Sequence, residues 1–276
     1  MSIIEAIILG IVQGLTEFLP ISSSGHLRIV PAVMGWEDPG AAFTAVVQIG
    51  TMAAVLIYFR EEIWRITTAF LRGLVGRASE EDRPHVRMGW YIALGTLPII
   101  VFGVLFDDSI ENEARNLYLI GGMLIGMGLL LGAVDHWSQR VREIDSLGPK
   151  DAAIVGFAQA LALIPGVSRS GATITFGLLR GFKRADAARF SFLLSIPAVV
   201  LSGVYQLQDV IDPPAGDRSA GIVAVIFATI AAFIVGYWSI AFLLKWLGEH
   251  SMAIFVYYRL VIGALVIALT AAGAIS

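Results

Sequence analysis

Gln13-Gly14-Leu15-Thr16-Glu17-Phe18-Leu19-Pro20-Ile21-Ser22-Ser23-Ser24-Gly25-His26 interrupts one apolar run, and Gln159-Ala160-Leu161-Ala162-Leu163-Ile164-Pro165-Gly166-Val167-Ser168-Arg169-Ser170-Gly171 interrupts another. The two interruptions align without gaps at an offset of 146, so that Glu5–Gln13 lies over Asp151–Gln159 and Ser22–Gly25 over Ser168–Gly171. The apolar pieces around them, Ile3–Leu19, Leu27–Trp36 and Ala152–Ile164, are too short or too broken to be ordinary spans. Long polar breaks at membrane depth must face protein or water, and this predicts two re-entrant helical hairpins. Each half then continues as three spans. An odd number of crossings turns the second copy upside down, which predicts two inverted repeats in a single membrane domain, about 1–145 and about 151–276.

Composition agrees. Of 276 residues, 57% are apolar and only 15% charged, against about 45–50% and about 25% in soluble domains. Mean hydropathy is +0.79. This excludes a water-soluble enzyme and a disordered chain, and leaves an all-α polytopic membrane protein. The net charge of −3 has no basic excess for binding nucleic acid. With no Cys there is no disulfide, thiolate metal site or Cys nucleophile. The N-terminus carries Glu5 where a signal peptide would be positive, so it reads as mature protein.

Six runs are long enough to cross a bilayer: Phe43–Phe59, Trp90–Phe106, Tyr118–Val134, Phe190–Tyr205, Ile222–Leu244 and Ile254–Ala272. With the Phe59–Trp90 connection placed inside, the inner loops hold 14 Lys and Arg and the outer loops hold two, Arg115 and Arg218. The positive-inside rule therefore sets both termini outside, in a cytoplasmic membrane, with the first hairpin entering from outside and the second from inside. Hairpins from opposite faces bring their tips together near the midplane. The stretch Arg60–Arg87 reads as a cytoplasmic face near anionic lipid.

Ionisable groups at that depth are costly and point to function. The tips offer Glu17, His26, Arg169 and five hydroxyls (Ser22, Ser23, Ser24, Ser168, Ser170), with Thr173 close behind. Arg is a planar fork for phosphate oxygens. Each tip feeds a helix N-terminus, which favours anions, and Gly25 and Gly171 would let backbone approach a ligand. Gln13 and Glu17, one turn apart, can bind a divalent metal or orient the histidine, and Ser beside His is a nucleophile–base pairing. The set suits an anionic phosphate ester. Blander readings stand beside it: serines bonded to nearby carbonyls, His26 as packing, and Glu17–Arg169 as a structural ion pair. Arg259 is expected to snorkel toward the inner surface, and Arg28 to reach a phosphate or the outer headgroups. His85, His136 and His250 sit in loops.

Gln13–His26 and Pro165–Thr173 resemble the two signature motifs of the undecaprenyl-diphosphate phosphatase, or bacitracin-resistance, family. Phe190-Ser191-Phe192-Leu193-Leu194-Ser195-Ile196-Pro197 and Tyr258-Arg259 resemble it too, and the likeness covers essentially the whole chain. The resemblance implies a membrane hydrolase that converts undecaprenyl diphosphate to undecaprenyl phosphate and phosphate, recycling the lipid carrier for peptidoglycan. It also implies an outward-facing site and a divalent cation, Mg²⁺ or Ca²⁺. By motif position Glu17, Ser23, His26 and Arg169 take the catalytic places, and Gln13 the first place of the metal-binding motif. Ser22, Ser24, Gly25, Ser168, Ser170, Gly171 and Thr173 are expected to line the substrate. Ser24 stands where Thr is common, and Arg28 where an apolar residue is expected. The nucleophile is Ser23, with His26 or Glu17 as base, or a water activated by His26. The competing class is an inverted-repeat transporter or flippase for an anionic lipid or solute. The expected partners are a prenyl diphosphate and the bilayer, with a homodimer left open.

Overall fold

In a bilayer every backbone N–H and C=O must be satisfied within its own segment, which leaves helices as the structure for apolar sequence of this kind. The computed structural model describes residues 1–105, 116–205 and 221–275. Among them are eleven α-helices and two single-turn 3₁₀ helices, with no β-strand beyond an isolated bridge between Arg142 and Phe182. Residues 106–115 and 206–220, which hold Arg115 and Arg218 of the connections expected outside, are not among the described residues.

Helices α5 (Arg83–Leu105), α6 (Leu117–Trp137), α10 (Ile222–Glu249) and α11 (Ala253–Ala271) are each long and apolar enough to cross a membrane. α3 (Gly40–Tyr58) and α4 (Arg60–Leu74), bent by 79° where they join, are long and apolar enough only when taken together, and would make a fifth span if the pair is one. The sixth expected run, Phe190–Tyr205, is the second part of α9 (Arg184–Tyr205), whose opening turns carry Arg184, Asp186 and Arg189. Large apolar side chains face outward: Val104 is 76% exposed, Ile222 79% and Trp238 72%. Water would oppose such a surface and lipid accepts it, so the chain is a multi-pass helical membrane protein.

The remaining elements are two helix–break–helix segments, α1 (Ile3–Phe18) with α2 (Ser23–Met34), and α7 (Pro149–Ala160) with α8 (Arg169–Leu179). Ser2 starts α1 with a capping box, its Oγ accepting from Glu5 N–H at 3.2 Å while Glu5 accepts from Ser2 N–H at 2.8 Å. Glu5 thus takes the third position of the capping box that starts α1. One departure concerns the Phe59–Trp90 connection, expected as a loop. It contains α4 and the first turns of α5. Trp64, Leu71 and Leu74 are exposed along one side of α4, and Arg65 and Arg72 follow them, an amphipathic pattern that hydropathy averaging hides.

Small residues set the packing. Gly10 and Gly14 of α1 lie against the backbone of α10 near Ala228 and Ala232, Gly156 of α7 lies on Gly95 of α5, and Gly121 of α6 faces Gly263 of α11. Close backbone approach of this kind replaces the hydrophobic drive that lipid removes. Two buried carboxylates tie one end of the bundle. Asp135 accepts from Arg184 at 2.6 and 3.1 Å and from Met252 N–H at 3.0 Å. Asp151 accepts from Arg142 at 2.7 and 3.1 Å and from Arg180 at 2.6 Å. Neither cluster was legible as a contact in the sequence, because its members lie up to 117 positions apart.

Candidate functional site

Both breaks solve the same backbone problem in the same way. Ser22 and Ser168 precede their helices with φ of 77° and 73°, a region that non-glycine residues rarely occupy. Each is held there as an N-cap. Ser22 Oγ accepts from Gly25 N–H at 3.3 Å, and Ser168 Oγ from Gly171 N–H at 3.0 Å. Strained backbone persists where the surroundings over-determine it, and here the strain sits at the tips. The caps leave Ser23 and Arg169 at the first positions of α2 and α8, beside unpaired helix N–H groups and their dipoles.

The side chains converge on Glu17. Its Oε2 accepts from Ser23 Oγ at 2.7 Å and from Gln13 Nε2 at 3.0 Å, and its Oε1 accepts from Arg169 of the other tip. The ion pair between Glu17 and Arg169, the blander reading of these two residues, therefore exists, and it joins the tips. A narrow cleft beside it is lined by Glu17, Phe18, Arg169, Ser170, Ser191 and Phe192. Gln13 is buried, and its Oε1 has no hydrogen-bond partner. The nitrogen of that amide faces Glu17, so the pair would offer two oxygens to a hard divalent cation with the Gln13 amide turned over. Mg²⁺ commonly takes one or two carboxylates and completes its shell with water and substrate phosphates. Among the described residues no three His, Asp or Glu side chains stand together as a metal cage.

Several expectations are corrected. His26 is not paired with Ser23. Its Nδ1 lies 2.7 Å from Ser22 O, and its Nε2 lies 2.8 Å from Tyr258 Oη. Capping turns the Ser22 carbonyl back over the first turn of α2, and that is where the imidazole sits. Thr173 is not at the cleft surface. It is fully buried, bonded to Arg169 O at 2.7 Å and to the Ser191 hydroxyl. Gly25 and Gly171 are needed for packing. A Cβ at Gly25 would stand 3.1 Å from Ile120 Cγ2, and one at Gly171 would stand 2.9 Å from Arg259 Nη1. Ser170 bonds Leu19 O at 3.0 Å and so stitches the second tip to the first, while Ser24 is exposed within 3.4 Å of Ser22 Oγ. Arg28 pairs with Asp38 at 3.5 Å.

Arg259 does not snorkel. It is the largest fully buried side chain, at 0% exposure. Its guanidinium donates to five carbonyls: Pro20 at 2.9 Å in the first tip, Gly166 at 2.9 Å and Val167 at 3.1 Å in the second, and Met123 at 3.2 Å and Leu124 at 3.1 Å in α6. Breaking two helices frees the carbonyls of Pro20, Gly166 and Val167, which lipid cannot satisfy, and the one guanidinium donates to all three while also reaching two carbonyls within α6. Distance from a helix end is the rule for snorkelling, and it misled here because the freed carbonyls lie at that depth.

A family model described as bacitracin resistance protein BacA matches residues 6–265, a stretch that includes Gln13–His26, Gly166–Thr173 and Tyr258–Arg259. The chain belongs to this family. Bacitracin-resistance relatives match it end to end. A protein of Thermobifida fusca named undecaprenyl-diphosphatase is 53% identical over 278 residues, covering 100% of this chain and 93% of that protein. Similar proteins of Chlorobium chlorochromatii (52% identical, 100% and 99% covered) and Chlorobium phaeobacteroides (51%, 99% and 99%) carry the same name. The matched stretch reaches into α11, whose Tyr258 and Arg259 contact the two breaks.

Proposed function

We propose that the protein is an integral membrane phosphatase that hydrolyses undecaprenyl diphosphate to undecaprenyl phosphate and inorganic phosphate. This recycles the lipid carrier of cell-wall synthesis, with the site open to the outer face of the cytoplasmic membrane. One observation carries the reading: the Ser23 hydroxyl is 2.7 Å from a carboxylate that also holds a guanidinium from the opposite tip. Nucleophile, base and phosphate fork thereby meet on one group. The names of the full-length relatives support the substrate.

The diphosphate enters between the tips, with the prenyl tail in lipid. Arg169 exchanges the Glu17 carboxylate for phosphoryl oxygens, helped by the N–H groups at the starts of α2 and α8. Ser23 Oγ attacks the terminal phosphorus and Glu17 takes its proton. The bond from phosphorus to the bridging oxygen breaks, and undecaprenyl phosphate leaves with the electron pair. Water then attacks the phosphoserine, the bond from phosphorus to Ser23 Oγ breaks and Oγ takes its proton back from Glu17, while His26 receives the water proton at Nε2 as the Tyr258 hydroxyl there turns from donor to acceptor. Gln13 and Glu17 would hold a divalent cation, Mg²⁺ or Ca²⁺, which when bound offsets the negative charge of the phosphate oxygens.

The two helix–break–helix segments are read as re-entrant hairpins from opposite faces, and the chain as two inverted repeats. The matching caps at Ser22 and Ser168 support this. Purified protein should release phosphate from a prenyl diphosphate and lose that activity with chelator. An acid quench should trap phosphoserine at Ser23 in the wild type and none in Ser23→Ala. No release at any metal concentration would overturn the function, and near-normal turnover in Ser23→Ala would overturn the covalent route. Cys placed at Ser2 should react with an impermeant thiol reagent in intact cells, and Cys at Ser79 should not; the reverse would invert the orientation.

A further inference from the structure

We propose that Tyr258 is a positioning residue for His26, so that α11 contributes a working part of the site. The proposal rests on the reading above that His26 belongs to the catalytic set. Hydrogen-bond chemistry fixes the tautomer. The group at Nδ1 is the Ser22 carbonyl oxygen, 2.7 Å away, and a carbonyl only accepts. Nδ1 therefore carries the proton, and the lone pair is on Nε2. The group at Nε2 is the Tyr258 hydroxyl, 2.8 Å away, which donates to that lone pair. The two rings also stack, with centroids 5.6 Å apart and planes inclined by 17°.

Two hydrogen bonds at opposite ring edges and a stacked face leave the imidazole no freedom about its terminal torsion. A phenol is both donor and acceptor. It holds Nε2 as a donor when the ring is neutral and as an acceptor once Nε2–H has formed, so the direction of that nitrogen survives proton transfer. The second nitrogen of a working histidine is set by the partner of the first, and here both partners are defined. The residue is not explained by burial. Tyr258 is 38% exposed while its neighbour Arg259 is fully buried, and a phenylalanine would fill the same stacked position. The hydroxyl is the part that packing does not require. Tyr258 also bridges from the last helix to the first tip, 232 positions away in sequence.

Four full-length proteins in detergent or nanodiscs decide the matter: wild type, Tyr258→Phe, His26→Gln and the double variant. Turnover is measured with farnesyl diphosphate, and ¹⁵N spectra are recorded on histidine-labelled protein. The His26 signals are those lost in His26→Gln. Tyr258→Phe should lower kcat about tenfold, the size of one neutral hydrogen bond, and leave KM within about twofold. It should move the His26 Nε2 resonance while those of His85, His136 and His250 stay in place. The double variant should be no slower than His26→Gln. Wild-type kcat in Tyr258→Phe, an unmoved Nε2 resonance, or a full extra tenfold loss on top of His26→Gln would each overturn the proposal while leaving His26 in the catalytic set. Wild-type turnover in His26→Gln would overturn that set and the proposal with it.

Discussion

At the first tip Ser22 caps α2 with φ 77°, and at the second Ser168 caps α8 with φ 73°; each hydroxyl accepts from the glycine three residues on. Gln13 and Gln159, matched by the 146-residue offset, both keep a buried amide oxygen without a partner. The same offset sets Glu17 against Leu163, Ser23 against Arg169 and His26 against Ala172. The backbone device is duplicated and the chemistry is not. The acceptors and the hydroxyl are on one tip and the cation on the other. Neither tip alone holds a carboxylate, a hydroxyl and a guanidinium, so the site exists only where they meet.

The largest test of this division is Glu17→Gln beside Leu163→Gln. The first should lower turnover about a thousandfold with the protein still folded and inserted, because the base for Ser23 is gone. The second should stay within about threefold, since the matched position carries no charge. Comparable losses in both would erase the asymmetry. Next is the clamp between the tips. Arg259→Gln should cost about 3 kcal/mol or more of stability in thermal unfolding, because it leaves several buried carbonyls unsatisfied. An unchanged unfolding temperature would mean that the tips hold each other without it. Arg169→Lys keeps a charge and loses the fork. It should reduce turnover about a hundredfold, near 2.7 kcal/mol, and near-normal turnover would show that a point charge suffices. The smallest effect checks the shared scaffold. Ser22→Ala and Ser168→Ala should each cost about 1 kcal/mol in the same unfolding assay, the value of one N-cap. A cost at one tip and none at the other would break the structural half of the comparison.

The breaks, their alignment and the membrane class were legible because they are one-dimensional properties. Helices in lipid form from local apolar length, and Pro, Gly and Ser runs mark where they stop. Glu17 and Arg169 were legible for the same reason, as charges at depths where they are costly, whereas Ser23 was one of five hydroxyls and was set apart only by the family motif. Thr173 was grouped with them by proximity in sequence, and helical phase turned it onto Ser191 instead.

What the amino-acid order alone determined is therefore the list of parts: a set of apolar runs, two matched breaks between them, and a charge inventory. Which parts touch was decided by tertiary structure. Ser23 lies three residues before His26 and six after Glu17, and spacing alone favoured neither partner. The cap geometry at Ser22 turned its carbonyl onto His26 Nδ1 and left Ser23 on Glu17. The clamping role of Arg259 has no local signal, because its five partners come from three segments up to 239 positions away. A carbonyl freed by a broken helix must be satisfied by whatever donor folding brings to that depth, and only the folded chain says which one that is.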